Sequence, residues 1–132
     1  MITVEIEVPR GGFVKREAGR GVEYVSPLPC PFNYGCVPGQ IGEDGDPVDA
    51  VVLGPRLATG TRVDTTPWLR VLFVDDGAQD DKLVCGPVPP TAGDRALLAS
   101  FFAVYAVART LMNRARGRGA ARYLGIAPLR TR

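Results

Sequence analysis

Two stretches of this chain crowd carboxylates together. "IGEDGDPVDAVVLG" (41–54) carries Glu43, Asp44, Asp46 and Asp49 and runs straight into the apolar Ala50-Val51-Val52-Leu53. "VDDGAQDDK" (74–82) carries Asp75, Asp76, Asp80 and Asp81 ahead of Lys82. Each stretch has an ordinary explanation. Asp-Gly and Asp-Pro make turns through side chain to backbone bonds, and Asp-Gly between apolar runs is a hairpin tip. Turn chemistry does not account for Asp49, a charged group at the mouth of an apolar strand. It is costly there unless a cation or hydrogen-bond donors compensate it. A calcium loop of the EF-hand type is excluded, because Pro47 and Val48 stand where its ligands and turn glycine belong.

The chain contains no histidine. Imidazole acid–base chemistry, His-based triads and His-rich zinc sites are therefore absent. Catalysis must rest on carboxylates, Lys, Arg, Tyr, Cys or a hard metal ion. Aspartates from two loops meeting without histidine suit Mg²⁺ or Mn²⁺, and Mg²⁺ commonly shares its coordination with substrate phosphates. Cations and donors are available in "VKRE" (14–17), where Lys15 and Glu17 share one face of a strand, and in Tyr34 of "NYG" (33–35). Surface ion pairing and a core tyrosine are the plainer readings of those two. The residues alone thus describe a metal-dependent phosphoryl site.

Several short strands must position these loops. "ITVEIEV" (2–8) alternates apolar and polar residues, as a half-exposed strand does. The segment 11–25 reads as a hairpin turning at Gly19–Gly21. Residues 26–40, with four prolines, read as an irregular ordered loop. "DAVVLG" is a buried strand, "TRVDTTPWLRVLFVDD" gives one or two strands interrupted near Pro67, and "KLVCGPVP" another. The period then changes. Leu97, Leu98, Phe101, Phe102, Tyr105, Ala108 and Met112 fall on one helical face, after a capping-box-like start at Thr91 and Asp94. The expected fold is mainly β with α: a small closed five-stranded barrel, OB-like, with a C-terminal helix packed on its wall.

Bulk properties narrow the class. The 132 residues, 45% of them hydrophobic, make one domain over 1–132. A net charge of +2 gives no reason to expect a nucleic-acid partner. No apolar run of about 20 residues is evident, and the N-terminus lacks signal-peptide character, so no membrane partner is expected. The arginines of the last quarter read as a solvated helix end and tail. Three cysteines without metal-ligand spacing fit reduced thiols and a cytoplasmic location. We expect a homo-oligomer.

Taken in order, "IEVP", "VKRE", "PFNYG", "EDGDPVDAVV", "DDGAQDDKLV" and "FFAVY" resemble the blocks of the family I inorganic pyrophosphatases, over roughly residues 4–86 and 97–108. The resemblance implies Mg²⁺-dependent hydrolysis of pyrophosphate, a small phosphate-bearing substrate, to two phosphates. It implies that Asp44, Asp49 and Asp80 hold the tightest metals. Asp75 with Asp80 would hold another, with Glu7 and Glu17 acting through waters or the substrate-bound metal. Asp46 would orient or deprotonate the attacking water, while Lys15, Lys82, Tyr34 and Tyr105 bind phosphate.

The chain also departs from the pattern. Pro27 aligns with a phosphate-binding arginine, Cys30 with a tyrosine, and Ala106 with the lysine that should follow Tyr105, and the connection 86–94 is trimmed. Arg109, one helical turn beyond Tyr105, is a candidate replacement cation. A charge-assisted contact contributes about 1.5–3 kcal/mol, so two lost cations are expected to slow pyrophosphate hydrolysis by roughly 10²–10⁴-fold. The same losses leave two other readings open: a repurposed enzyme for another small molecule, or an inactive metal-binding or assembly homologue.

Overall fold

The structure, a computed structural model, describes residues 1–12, 14–17, 21–25, 29–43 and 45–129, with backbone only for 14–17 and 21–25. Nine strands and one helix occur among them: β1 (Ile2–Val8), β2 (Val14–Glu17), β3 (Gly21–Val25), β4 (Asn33–Ile41), β5 (Pro47–Val52), β6 (Arg62–Asp75), β7 (Ala78–Gln79), β8 (Lys82–Gly86), α1 (Ala92–Ala115) and β9 (Ala121–Pro128). Strands β1, β4, β5, β8 and β6 pair in that order, and β6 pairs back onto β1. The five form a closed ring, with the helix against it. The expected mainly β architecture with one packed helix is what the chain adopts. Among the described strands only the β5–β8 pair is parallel, and β2–β3 pair antiparallel as a separate two-stranded sheet; the turn expected at Gly19–Gly21 lies largely outside the described residues.

Two strands were not expected. The Pro-rich segment gives way at Asn33 to β4, whose residues Asn33, Gly35 and Val37 alternate inward between β1 and β5. Its inward positions include an amide and a glycine, so the alternation carries little hydrophobic signal. Gly35 is there for space: a Cβ on it would collide with the Glu5 carbonyl of β1. Pro38 falls where the β4–β5 register shifts, so it removes no ladder bond that the sheet needs. The other surprise is β9, which pairs along β6 from Leu69 to Asp75. Part of the arginine-rich tail is therefore sheet. Strand β6 itself is continuous, and Pro67 sits at a register shift against β8.

Helix α1 starts as its sequence indicated. Asp94 N–H donates to Thr91 Oγ1 at 3.1 Å, and Thr91 N–H donates to Asp94 Oδ2 at 2.9 Å. Leu98, Phe102 and Ala106 are buried against the ring, where Phe32, Phe73, Phe101, Phe102 and Tyr105 form one aromatic cluster. Leu97, placed on that face from its spacing, lies instead on the exposed side with Val104, Val107 and Leu111. By length and composition α1 passes for a membrane-crossing helix, which the reading of apolar runs did not allow for. Here its inner face packs on the sheet.

Candidate active site

The ring brings the two acidic loops together at a buried lysine. Lys82 opens β8, with only 2% of its surface exposed. Its Nζ donates to Asp49 Oδ2 at 2.8 Å and to Asp80 Oδ2 at 2.6 Å. Asp49 reaches it from the start of β5, which runs parallel to β8 with Ala50 opposite Leu83. Asp80 comes from the connection between β7 and β8. The Tyr34 hydroxyl donates to the same Asp49 Oδ2 at 2.8 Å, because β4 places Cys36 opposite Asp49 and Tyr34 opposite Val51. A bond from backbone to side chain links the two loops further, Gln79 N–H donating to Glu43 Oε1 at 3.1 Å.

Electrostatics explain how this cluster is stable. Burial alone would drive the Lys82 pKa down, but the charges of Asp49 and Asp80 outweigh it and hold the ammonium above the ordinary lysine range. Tyr105 acts on Lys82 in the same sense, and the Phe73 ring lies 5.2 Å from Nζ. Two carboxylates converge on this one ammonium. The donors are hard oxygens, and no group of three or more potential metal-ligating side chains gathers among the described residues. This set fits Mg²⁺, which is typically held by one or two carboxylates plus waters and substrate phosphates rather than by a cage of protein ligands.

The other expected site residues are placed as follows. Asp46 is exposed on the acidic loop, whose turn is closed by Gly42 N–H donating to the Asp46 carbonyl at 2.8 Å. Glu7, read from alternation as facing solvent, is 5% exposed near the end of β1. Tyr105 stacks on Phe101 and is half-buried beside Lys82. Asp75 is drawn to the helix: Arg109 Nε donates to its Oδ2 at 3.1 Å and Asn113 Nδ2 to its Oδ1 at 2.6 Å. Asp44 and Pro27 lie outside the described residues, as do the side chains of Lys15 and Glu17.

Two of the departures become interpretable. Cys30 is buried, and burial pushes its pKa up to about 11, so near neutrality it is an uncharged thiol and a poor nucleophile. Ala106 belongs to the hydrophobic core, packed with Phe102 and Ala121. A lysine at that position would overpack the core.

Sequence reasoning missed two buried amides. Asn33 is fully buried. Its Nδ2 donates to the Val52 and Pro55 carbonyls at 3.2 and 2.8 Å, and its Oδ1 accepts from Arg10 and Leu57 N–H at 3.1 and 2.8 Å. It ties three chain segments beside Tyr34. Asn113 does similar work at the helix end, its Nδ2 also donating to the Gly119 carbonyl at 3.0 Å. The one available signal was an asparagine on the inner face of an apolar helix, one turn after Arg109.

Comparison with known proteins reaches the same region. A family model for inorganic pyrophosphatase matches residues 4–99. The chain is 36% identical over 94 residues to the inorganic pyrophosphatase of Gluconobacter oxydans, spanning 65% of this chain and 54% of that protein. It is 38% identical over 95 residues to that of Haemophilus influenzae, spanning 66% and 54%. It thus spans about half the length of the curated relatives it matches. The crystal structure of an inorganic pyrophosphatase from Neisseria gonorrhoeae superimposes with a TM-score of 0.76 at 26% identity, over 96% of this chain and 82% of the other. The fold is shared too with the Thermus thermophilus inorganic pyrophosphatase, at a TM-score of 0.77 and 22% identity.

Proposed function

The chain belongs to the family I inorganic pyrophosphatases, and on that premise we propose that it hydrolyses pyrophosphate to two phosphates at the Asp49–Asp80–Lys82 cluster. The observation that carries the reading is the meeting of both acidic loops on one buried ammonium, with the Tyr34 hydroxyl on the same carboxylate. Asp49 and Asp80, with Asp44, would hold Mg²⁺ (Mn²⁺ as a substitute), and Glu7 would act on it through water. The ion would neutralise phosphoryl oxygens and lower the pKa of a bound water.

The protein's own groups supply the rest. Lys82 is a fixed positive charge at the mouth, worth most where charge develops on the leaving phosphate. Tyr34 offers an O–H donor, and Asp46, exposed on the loop, can take a proton from the attacking water. Lys15 and Tyr105 complete the proposed phosphate-binding set, and Glu17 would act through waters or the substrate-bound metal. Arg109 enters with its guanidinium already on Asp75. With Pro27 and Ala106 in place of two cations, turnover should fall below the ~10³ s⁻¹ upper end of ordinary enzymes.

Phosphate release from pyrophosphate, a nucleoside triphosphate and a phosphomonoester at millimolar Mg²⁺ tests the substrate class. Pyrophosphate should be preferred by at least an order of magnitude. Equal rates on all three would point to a repurposed site. We also infer self-association, supported by the exposed apolar line of Leu97, Val104, Val107 and Leu111 on α1. Light scattering should give a mass of at least twice 14.1 kDa; a monomer at micromolar concentration contradicts it. Cys30, Cys36 and Cys85, none of them in a disulfide, suit the proposed cytoplasmic location.

A further inference from the structure

Asp75 stands among surroundings that suit a metal ion poorly. Each of its oxygens accepts a hydrogen bond from α1, Oδ2 from Arg109 Nε at 3.1 Å and Oδ1 from Asn113 Nδ2 at 2.6 Å. The two donors stand one helical turn apart on the inner face of the helix. Asn113 is 2% exposed, and its amide also donates to the Gly119 carbonyl at 3.0 Å. The neighbouring Asp76 Oδ1 accepts from Gly119 N–H at 2.7 Å. Thr110 Oγ1 lies within hydrogen-bond distance of the Ala106 carbonyl at 2.8 Å and the Ala121 carbonyl at 3.1 Å, which share its one hydrogen, and it accepts from Ala121 N–H at 2.9 Å. These bonds join the end of β6, the end of α1 and the start of β9. Asp75 is a structural part of that joint.

We propose that Arg109 takes the place of a divalent cation on Asp75, so that Asp75 fastens α1 to the sheet and this chain's site uses one metal ion fewer than its aspartates suggest. The inference rests on the metal-dependent reading of Asp49 and Asp80. A carboxylate oxygen has a second lone pair, but a divalent ion placed on it would lie next to the guanidinium, like charge against like. Arginine stays protonated throughout the working pH range, so no ordinary pH change frees Asp75. The guanidinium is also partly enclosed, its side chain 20% exposed against 19% for Asp75, which limits screening by water.

Two measurements on the full chain test this. Equilibrium Mn²⁺ binding should give the same number of ions per chain for the parent and Asp75→Asn, and at least one fewer for Asp49→Asn. In chelator, with no metal present, Asp75→Asn should melt about 5–15 °C below the parent, because the charge-assisted bond to Arg109 is lost. Loss of one Mn²⁺ per chain in Asp75→Asn overturns the proposal, and so does a melting temperature in chelator equal to the parent's. An Asp49→Asn chain that keeps the full count would instead overturn the metal-site reading, and the melting measurement still decides whether Asp75 is a clamp.

Discussion

Asp46→Asn should lower kcat for pyrophosphate by about 10²–10⁴-fold, the usual contribution of a positioned general base, while leaving the fold and metal affinity nearly unchanged. The asymmetry follows from placement. Asp46 is exposed on a turn whose hydrogen bond uses its backbone carbonyl, so the amide replaces the carboxylate without disturbing that bond. Exposed substitutions of this kind stay within roughly 0.5 kcal/mol of the parent. The amide keeps the shape of the side chain and removes its basicity. Steady-state kinetics with a parallel Mn²⁺ titration separate the two effects. A variant that keeps most of its kcat would remove Asp46 from the proton-transfer role.

The second large effect belongs to Lys82. Methionine in its place keeps the length and removes the charge, leaving Asp49 and Asp80 facing each other without their shared ammonium. Breaking a buried pair costs about 3–5 kcal/mol. Here the carboxylates are 18% and 15% exposed, so about 2–3 kcal/mol is a fairer figure, or roughly 8–15 °C in melting temperature. Millimolar Mg²⁺ should recover part of that loss by binding the freed carboxylates. The sign with pH is also fixed. A lysine whose folded pKa is raised contributes its stability in full below the unfolded value near 10.4 and loses it as pH rises through the folded value. The parent should therefore lose stability at strongly alkaline pH more steeply than Lys82→Met. Equal alkaline profiles, or a variant as stable as the parent without metal, would contradict this account of the cluster.

How much of this was legible in the sequence depends on the kind of signal. The capping box at Thr91 and Asp94 and the apolar inner face of α1 are local, and both were readable. The two acidic loops were readable as turns at strand ends, and their meeting followed once a closed ring was inferred. Strand β4 was obscured because its inward positions are Asn33, Gly35 and Val37, chosen for hydrogen bonding and close approach as much as for hydrophobicity. Strand β9 was obscured because its partner β6 lies far away in sequence and its arginines look like a tail. Glu7 falls on the polar side of the alternation in β1, yet it is only 5% exposed. The Arg109–Asp75 pair spans 34 residues. Each partner was noticed separately, but no local pattern indicated that they meet.

The central claim is that the carboxylates around Lys82 are the centre of Mg²⁺-dependent pyrophosphate hydrolysis. It is tested most directly by phosphate release from pyrophosphate across a Mg²⁺ titration, for the parent and for Asp49→Asn, with circular dichroism confirming that both are folded. The parent should be silent in chelator and gain activity as Mg²⁺ rises to millimolar levels. The folded Asp49→Asn chain should stay at least 10²-fold slower at every concentration. A parent that releases no phosphate at any Mg²⁺ concentration, or a variant that matches it, would contradict the account.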